Sequence, residues 1–303
     1  MDMYQKRKMR AEKNNQEEKL SKGGINYYPG HMAKTKRKLK ERINLIDIIF
    51  ECIDARMPIS SKMKDMEDII KDKPRILVMT KKDLCDIKVT NKWVNFYENK
   101  GYKVILLDLT NNDDYKKLIN LTKEVAKPIQ EKRKVKGLKS KEIKIGVIGI
   151  PNVGKSTLIN KLVGKKVANT GNKPGITKDI NWLKTNSGFL LLDTPGILWP
   201  KIEDNEEALN LASTATIKME VLNMTDIGGY LINIFKNYYK DIFEEKYKIK
   251  IEDDVSEIFA KLAKKFNFFD KDGEIDYEKV SNRVYNDLVS GALKGVTFDR
   301  WKN

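Results

Sequence analysis

Histidine is almost missing from this 303-residue chain, with His31 its single example. Cysteine is nearly as scarce: Cys52 and Cys85 stand far apart and in no paired spacing. Two lone thiols build neither a disulfide framework nor a zinc module. Long apolar runs are absent too, none nearing the roughly 18–20 residues that a bilayer-spanning helix requires. The opening stretch MDMYQKRKMRAEKNNQEEKL has no apolar segment, and Asp2, Glu12, Glu17 and Glu18 interrupt its bases. That pattern excludes a secretory signal and argues against a mitochondrial presequence. The expectation is a cytoplasmic protein with no membrane partner.

What the chain has in excess is positive charge, with 59 Lys and Arg against 43 Asp and Glu. The excess sits in one part. Residues 203–303 hold 15 bases and 20 acids, whereas the first 202 residues hold 44 and 23. Two stretches stand out, residues 1–44 with 13 bases and 5 acids, and 127–144 with 8 and 2. Such asymmetry points to a polyanionic partner for the N-terminal two-thirds, with plain solubility as the alternative. Beyond Tyr4, Tyr27 and Tyr28 these stretches carry few aromatics on which unpaired bases could stack. Backbone and shape recognition of structured RNA fits better.

Residues 1–24 read as a flexible basic arm. Leu39, Ile43 and Ile46 share one helical face, which predicts a helix over 33–46. Apolar runs at 48–53, 75–79, 103–109, 143–150 and 189–193 read as buried strands, mostly separated by helix-compatible stretches. That alternation predicts a doubly wound α/β sheet. The run KPIQEKRKVKGLKSKEIK (127–144) reads as a charged linker within it. Helical patterns over 205–222, 228–247, 256–269 and 276–293 predict an all-α tail. The organisation is therefore an arm (1–24), an α/β domain (25–202) and a helical domain (203–303).

GIPNVGKST (149–157) fits G-x-x-x-x-G-K-[ST] through Gly149, Gly154, Lys155 and Ser156, between a strand and a helical stretch. The glycines let successive N–H groups turn toward one anion, and the helix N-terminus adds partial positive charge. Asn152, Val153, Gly154, Lys155, Ser156 and Thr157 are expected to line a nucleotide. Lys155 should reach the β- and γ-phosphates, and Ser156 Oγ should ligate Mg²⁺. In LLDTPG, Asp193 at a strand end is expected in the Mg²⁺ shell, and the Gly196 N–H on the γ-phosphate. Thr177, in GNKPGIT, is expected as the remaining metal ligand.

A phosphate loop does not separate ATP from GTP. Guanine is read by N/T-K-x-D at a strand end, whose carboxylate accepts both N–H groups of the Watson–Crick edge. Adenine leaves that carboxylate unpaired, a discrimination of about 10⁴. VMTKKDL supplies Thr80, Lys81 and Asp83 after a strand, and it precedes the phosphate motif instead of following it.

Base recognition first and phosphates second is the order of a circularly permuted GTPase. The runs YYPGHMAK, DARMPISS, KPRILVMTKKD, GIPNVGKST, NKPGIT and LDTPGILWPK extend from residue 27 to 201. Together they resemble the ribosome biogenesis GTPase A family, hydrophobic-substituted GTPases of bacterial large-subunit assembly. The resemblance implies an α/β, circularly permuted P-loop GTPase domain followed by a small all-α domain, using GTP and Mg²⁺. It implies a base contact at Asp108 and Leu109, where the family more often carries a small Ser/Ala-type segment. Ile197 follows Gly196, where many small GTPases place a water-orienting glutamine. An aliphatic side chain orients no water, so unaided hydrolysis is expected at about 10⁻⁴–10⁻³ s⁻¹. The resemblance assigns that catalytic task to His31, whose imidazole exchanges protons near neutral pH from what reads as a mobile Pro-Gly turn. Asn152 occupies a position that supports K⁺ in potassium-stimulated GTPases, and a simple loop brace is the equal alternative.

The implied partner is the large ribosomal subunit precursor with its rRNA. The protein is expected to be a monomer off the ribosome and to leave it on hydrolysis. A non-catalytic GTP-dependent RNA-binding scaffold is the rival reading, which the missing glutamine permits.

Overall fold

The computed structural model describes residues 25–26, 30–64, 66–70, 73–165, 182–194, 196, 198, 201–217, 222–251 and 254–301. Its sheet contains β2 (Ile48–Asp54), β3 (Arg75–Thr80), β4 (Lys103–Leu106), β5 (Lys144–Gly149), β6 (Trp182–Lys184) and β7 (Leu190–Asp193). The spatial order is β4-β3-β2-β5-β7-β6, parallel except at the edge strand β6. A two-stranded antiparallel ribbon pairs β1 (Ile25–Asn26) with β8 (Lys201–Ile202) and so joins the two ends of the α/β part.

Strands buried on both faces need near-continuous apolar runs, and the five expected runs all became strands, although β4 lies at the sheet edge and is only half-buried where a buried strand was expected. Alternation divides them between two faces. Phe50, Cys52, Ile76 and Val78 enter the main core, while Ile53, Leu77 and Met79 pack with Cys85 and Tyr97 in a smaller cluster. Glu51, in the middle of β2, is a buried charge that Lys62 (3.2 Å) and Arg75 (3.3 Å) neutralise. Arg75 also binds Glu67 through two bonds of 2.8 and 2.9 Å, which holds that carboxyl down at about 2.

Helices fill both faces: α1 (Gly30–Arg42), α2 (Glu67–Ile70), α3 (Ile87–Asn99), α4 (Asn112–Val135) and α5 (Lys155–Val163). Two expectations need correction. The first helix starts at Gly30, earlier than residue 33, and yields to a 3-10 turn at Ile43–Leu45, which places His31 in the first helical turn. The supposed linker from 127 is helical to Val135. Lys, Arg, Glu and Gln are good helix formers, and Leu118, Thr122 and Ala126 bury a stripe at helical spacing that carries the helix onward. Pro128 is tolerated on its exposed side.

Past the sheet, α6 (Asn205–Ser213), α7 (Met224–Tyr238), α8 (Lys240–Tyr247), α9 (Val255–Phe266) and α10 (Tyr277–Val289) follow. Asp204, Asn223, Asp254 and Asp276 cap four of these N-termini with side-chain oxygens. One apolar cluster runs from the sheet through these helices to Phe298.

Candidate nucleotide site

In open α/β sheets, ligands sit beyond the carboxyl ends of the strands. Here β2, β3, β5 and β7 end at Asp54, Thr80, Gly149 and Asp193. The phosphate loop between β5 and α5 is dictated by close backbone approach. A Cβ on Gly149 would lie 2.5 Å from Cys52 O, and Gly154 caps α5 at a φ of +95°. Asn152 takes φ +59°, a conformation that Asn tolerates better than most residues. The buried Lys155 donates from Nζ to Ile150 O at 2.7 Å, folding its ammonium over the loop. Ser156 is half-buried and Thr157 exposed in the first turn of α5. Gly196 lies against the same loop, since a Cβ there would sit 2.7 Å from Pro151 Cα. Thr194, which the motif reading passed over, donates its hydroxyl to Val147 O at 2.6 Å and fixes the chain entering that glycine.

Thr80 is fully buried, and its hydroxyl donates to Val153 O. It therefore ties the end of β3 to the phosphate loop. A Cβ on Gly154 would meet Leu109 Cδ1 at 3.1 Å and Thr80 Cβ at 3.6 Å. Residues 80, 109 and 154 thus converge on one point. Lys81 takes φ +59° and places its ammonium 2.9 Å from Asp54 Oδ2. The buried Asp54 also accepts from Arg56 through Nε (3.1 Å), Nη2 (2.8 Å) and the backbone N–H (2.9 Å). Burial opposes charge on Asp54, but Arg56 and then Lys81 outweigh it and hold the carboxyl far below the usual range. Burial draws the Lys81 ammonium down against the pull of Asp54.

Asp83 is exposed in the turn after β3. Asp108 accepts from Thr110 N–H (2.8 Å) and Thr110 Oγ1 (2.6 Å), closing its own turn. Asp114 joins both turns by accepting from Asp108 N–H at 3.0 Å and Lys82 Nζ at 2.9 Å. Burial opposes its charge too, yet the Asp108 N–H and Lys82 outweigh it and lower its pKa. Neither Asp54 nor Asp114 had been given a role. Asp54 stood within DARMPISS, and Asp114 lies in none of the motifs.

Asn152 Nδ2 donates to Ala215 O at 2.5 Å, bracing the phosphate loop against the helical part. Thr177 and Ile197 lie outside the described residues, as do the side chains of His31 and Asp193. The end of β7 is in register beside β5, with Asp193 opposite Val147. A carboxylate there and the Ser156 hydroxyl are hard oxygen donors of the kind Mg²⁺ takes, so the residues present fit the metal.

A family model described as "50S ribosome-binding GTPase" matches residues 144–267, beginning at β5. Ribosome biogenesis GTPase A of Bacillus cereus is 38% identical over 276 residues, covering 91% of this chain and 93% of the relative. The protein of the same name from Thermotoga maritima is 31% identical, covering 91% and 94%. The chain belongs to the ribosome biogenesis GTPase A family. The crystal structure of GNP-bound YlqF from T. maritima aligns with a TM-score of 0.61 at 26% identity, over 88% of this chain and 98% of that one. A GDP-bound structure of TM YlqF aligns at 0.62 and 25%, over 88% and 100%. As a ribosome biogenesis GTPase A, the chain is a GTP-binding and GTP-hydrolysing assembly factor on a circularly permuted fold. The permutation explains why β3 precedes β5 in sequence while only β2 separates them in the sheet.

Proposed function

We propose that this GTPase binds an immature large ribosomal subunit through its rRNA and is released when GTP is cleaved. The convergence of Thr80, Leu109 and Gly154 carries the nucleotide part of this reading. Asp83 accepts both Watson–Crick N–H groups of guanine, Lys81 and the Asp108–Leu109 turn flank the base, and Asn152–Thr157 wrap the phosphates. Lys155 leaves Ile150 O for the β- and γ-phosphates, and the Gly196 N–H meets the γ-phosphate. Ser156, Thr177 and Asp193 would hold Mg²⁺, which neutralises charge on the phosphate oxygens. The Asn152–Ala215 bond supports the brace reading of Asn152, and K⁺ is not needed to account for that residue.

His31 orients the attacking water in place of the absent glutamine. Exposed Lys127, Lys132, Lys134, Lys136 and Lys139, on the last turns of α4 and the loop after it, offer phosphate contacts to RNA. The arm (1–24) adds more bases, the α/β domain (25–202) hydrolyses, and the helical domain (203–303) follows the nucleotide state. The working compartment is the cytoplasm, with the protein monomeric off the ribosome.

Single-turnover GTP cleavage, with and without large subunits, tests the reading. Subunits should stimulate the wild-type rate. His31→Ala should slow the stimulated reaction by about 10²–10⁴-fold, the usual contribution of a placed acid–base group. GTP affinity should stay nearly unchanged. Equal stimulated rates would remove His31 from the mechanism.

A further inference from the structure

After α10 the chain turns back to the α/β part and crosses two of its loops. The N–H groups of Gly295 and Val296 donate to Leu84 O at 2.8 and 3.1 Å. Leu84 directly follows Asp83. Two residues further, Asp86 N–H donates to Thr297 Oγ1 at 3.1 Å, and the Thr297 and Thr90 hydroxyls are 2.9 Å apart. Tyr239 Oη accepts the Thr297 N–H at 2.9 Å and lies 3.2 Å from the Asp86 carboxylate. On the neighbouring loop, Phe298 N–H donates to Arg56 O at 2.6 Å, and Asp299 accepts from Ile59 N–H (2.6 Å) and Ser60 N–H (2.9 Å). Thr90, Thr297 and Phe298 are fully buried, so these bonds form without competition from water.

We propose that residues 295–299 are a strap that sets guanine selectivity, with Thr297 as the positioning residue for the Asp83 turn. The inference rests on the assignment of Asp83 to the base. An exposed carboxylate that must meet two N–H groups at once depends on a fixed backbone beneath it. Lys82, through Asp114, secures the turn before Asp83. The strap secures it afterwards, at Leu84 and Asp86. The helical part of the chain thereby builds the underside of the base site.

The test uses the full chain and compares GDP with IDP, which lacks the 2-amino group and so one of the two N–H bonds to Asp83. Thr297→Val removes the hydroxyl at Asp86 and keeps the shape. GDP affinity should fall about tenfold, the loss of roughly one good hydrogen bond, while IDP affinity falls less, so the GDP:IDP ratio shrinks. Thr297→Ser should restore both. Tyr239→Phe, which keeps the ring but removes the hydroxyl bonded to the Thr297 backbone and the Asp86 carboxylate, should shrink the ratio in the same direction and decides the matter if Thr297→Val does not fold. A purely structural role would lower the unfolding midpoint and leave the ratio alone. That result overturns the proposal. Asp83→Asn separates the two readings. If it collapses the ratio and the strap variants do not, only the strap fails; if it keeps the wild-type ratio, the assignment of Asp83 itself fails.

Discussion

On the base side of the site, side chains from distant segments hold the turn after β3. Asp54 pairs with Lys81, Asp114 with Lys82, and Thr297 with Asp86. On the phosphate side, the loop after β5 is shaped largely by backbone contact. Gly149 lies on Cys52 O and Gly196 on Pro151, while Lys155 bonds a carbonyl of its own loop. The two halves of one site are therefore pre-organised by different physics. A backbone cradle accepts any triphosphate, whereas discrimination among bases needs a carboxylate held in place, and buried ion pairs supply that rigidity. Selectivity and phosphate affinity should then fail under different mutations.

The largest separation is expected from Asp54→Ala, which leaves Arg56 and Lys81 without their buried counter-charge. Breaking such a pair costs about 3–5 kcal/mol, readable in urea unfolding. Lys155→Ala should cost only about 1 kcal/mol of stability, the net worth of one hydrogen bond. Similar losses for the two would erase the contrast.

Next comes a pH effect from the strap. Burial pushes the Asp299 carboxyl up to about 6, more than its bonds from Ser60 and Ile59 pull it down. The folded state therefore keeps this proton after the unfolded chain, near 3.8, has lost it. For this group, stability is highest at acid pH and declines as pH rises through that window, by about 3 kcal/mol in all. Asp299→Asn should flatten the decline. Denaturant titrations between pH 4 and 7.5 measure it, and an unchanged slope would assign the effect elsewhere.

The smallest effect tests the backbone cradle. Gly196→Ala would bring a methyl to 2.7 Å from Pro151 Cα and N, so the loop must shift. GTP affinity should drop about tenfold, or ~1.4 kcal/mol, with the GTP:ITP ratio unchanged. A changed ratio would show that the two sides are not separable.

The same contrast explains what could be read in advance. Close backbone approach at Gly149 and Gly196 and the positive φ of Gly154 favour glycine, so these three stand out in a string of letters, and five of the strands show as apolar runs. The proposed base motif was visible at Thr80, Lys81 and Asp83. Its supports were not, because Asp114, Tyr239 and Thr297 carry no local pattern and acquire meaning only from partners far along the chain. The edge strand β6 was missed for a related reason, its three residues being too few for a periodicity. The end of α4, residues 127–135, was taken for linker because its charge density hides the continuation of a helix whose buried stripe ends at Ala126.

The strap also has a consequence for how the protein is made. Asp83 and its turn leave the ribosome about two hundred residues ahead of Thr297. At about 5–20 residues per second, that interval lasts roughly 10–40 s. Throughout it β2 and β3 exist without the segment that completes their carboxyl edge, and for about the first third of it without β5, the neighbour of β2. On the strap proposal, a nascent chain in that window would discriminate guanine from other bases less well than the finished protein. Nucleotide selectivity would then arrive late in translation, and a product terminated before Gly295 would keep the phosphate loop while lacking the strap beneath the Asp83 turn.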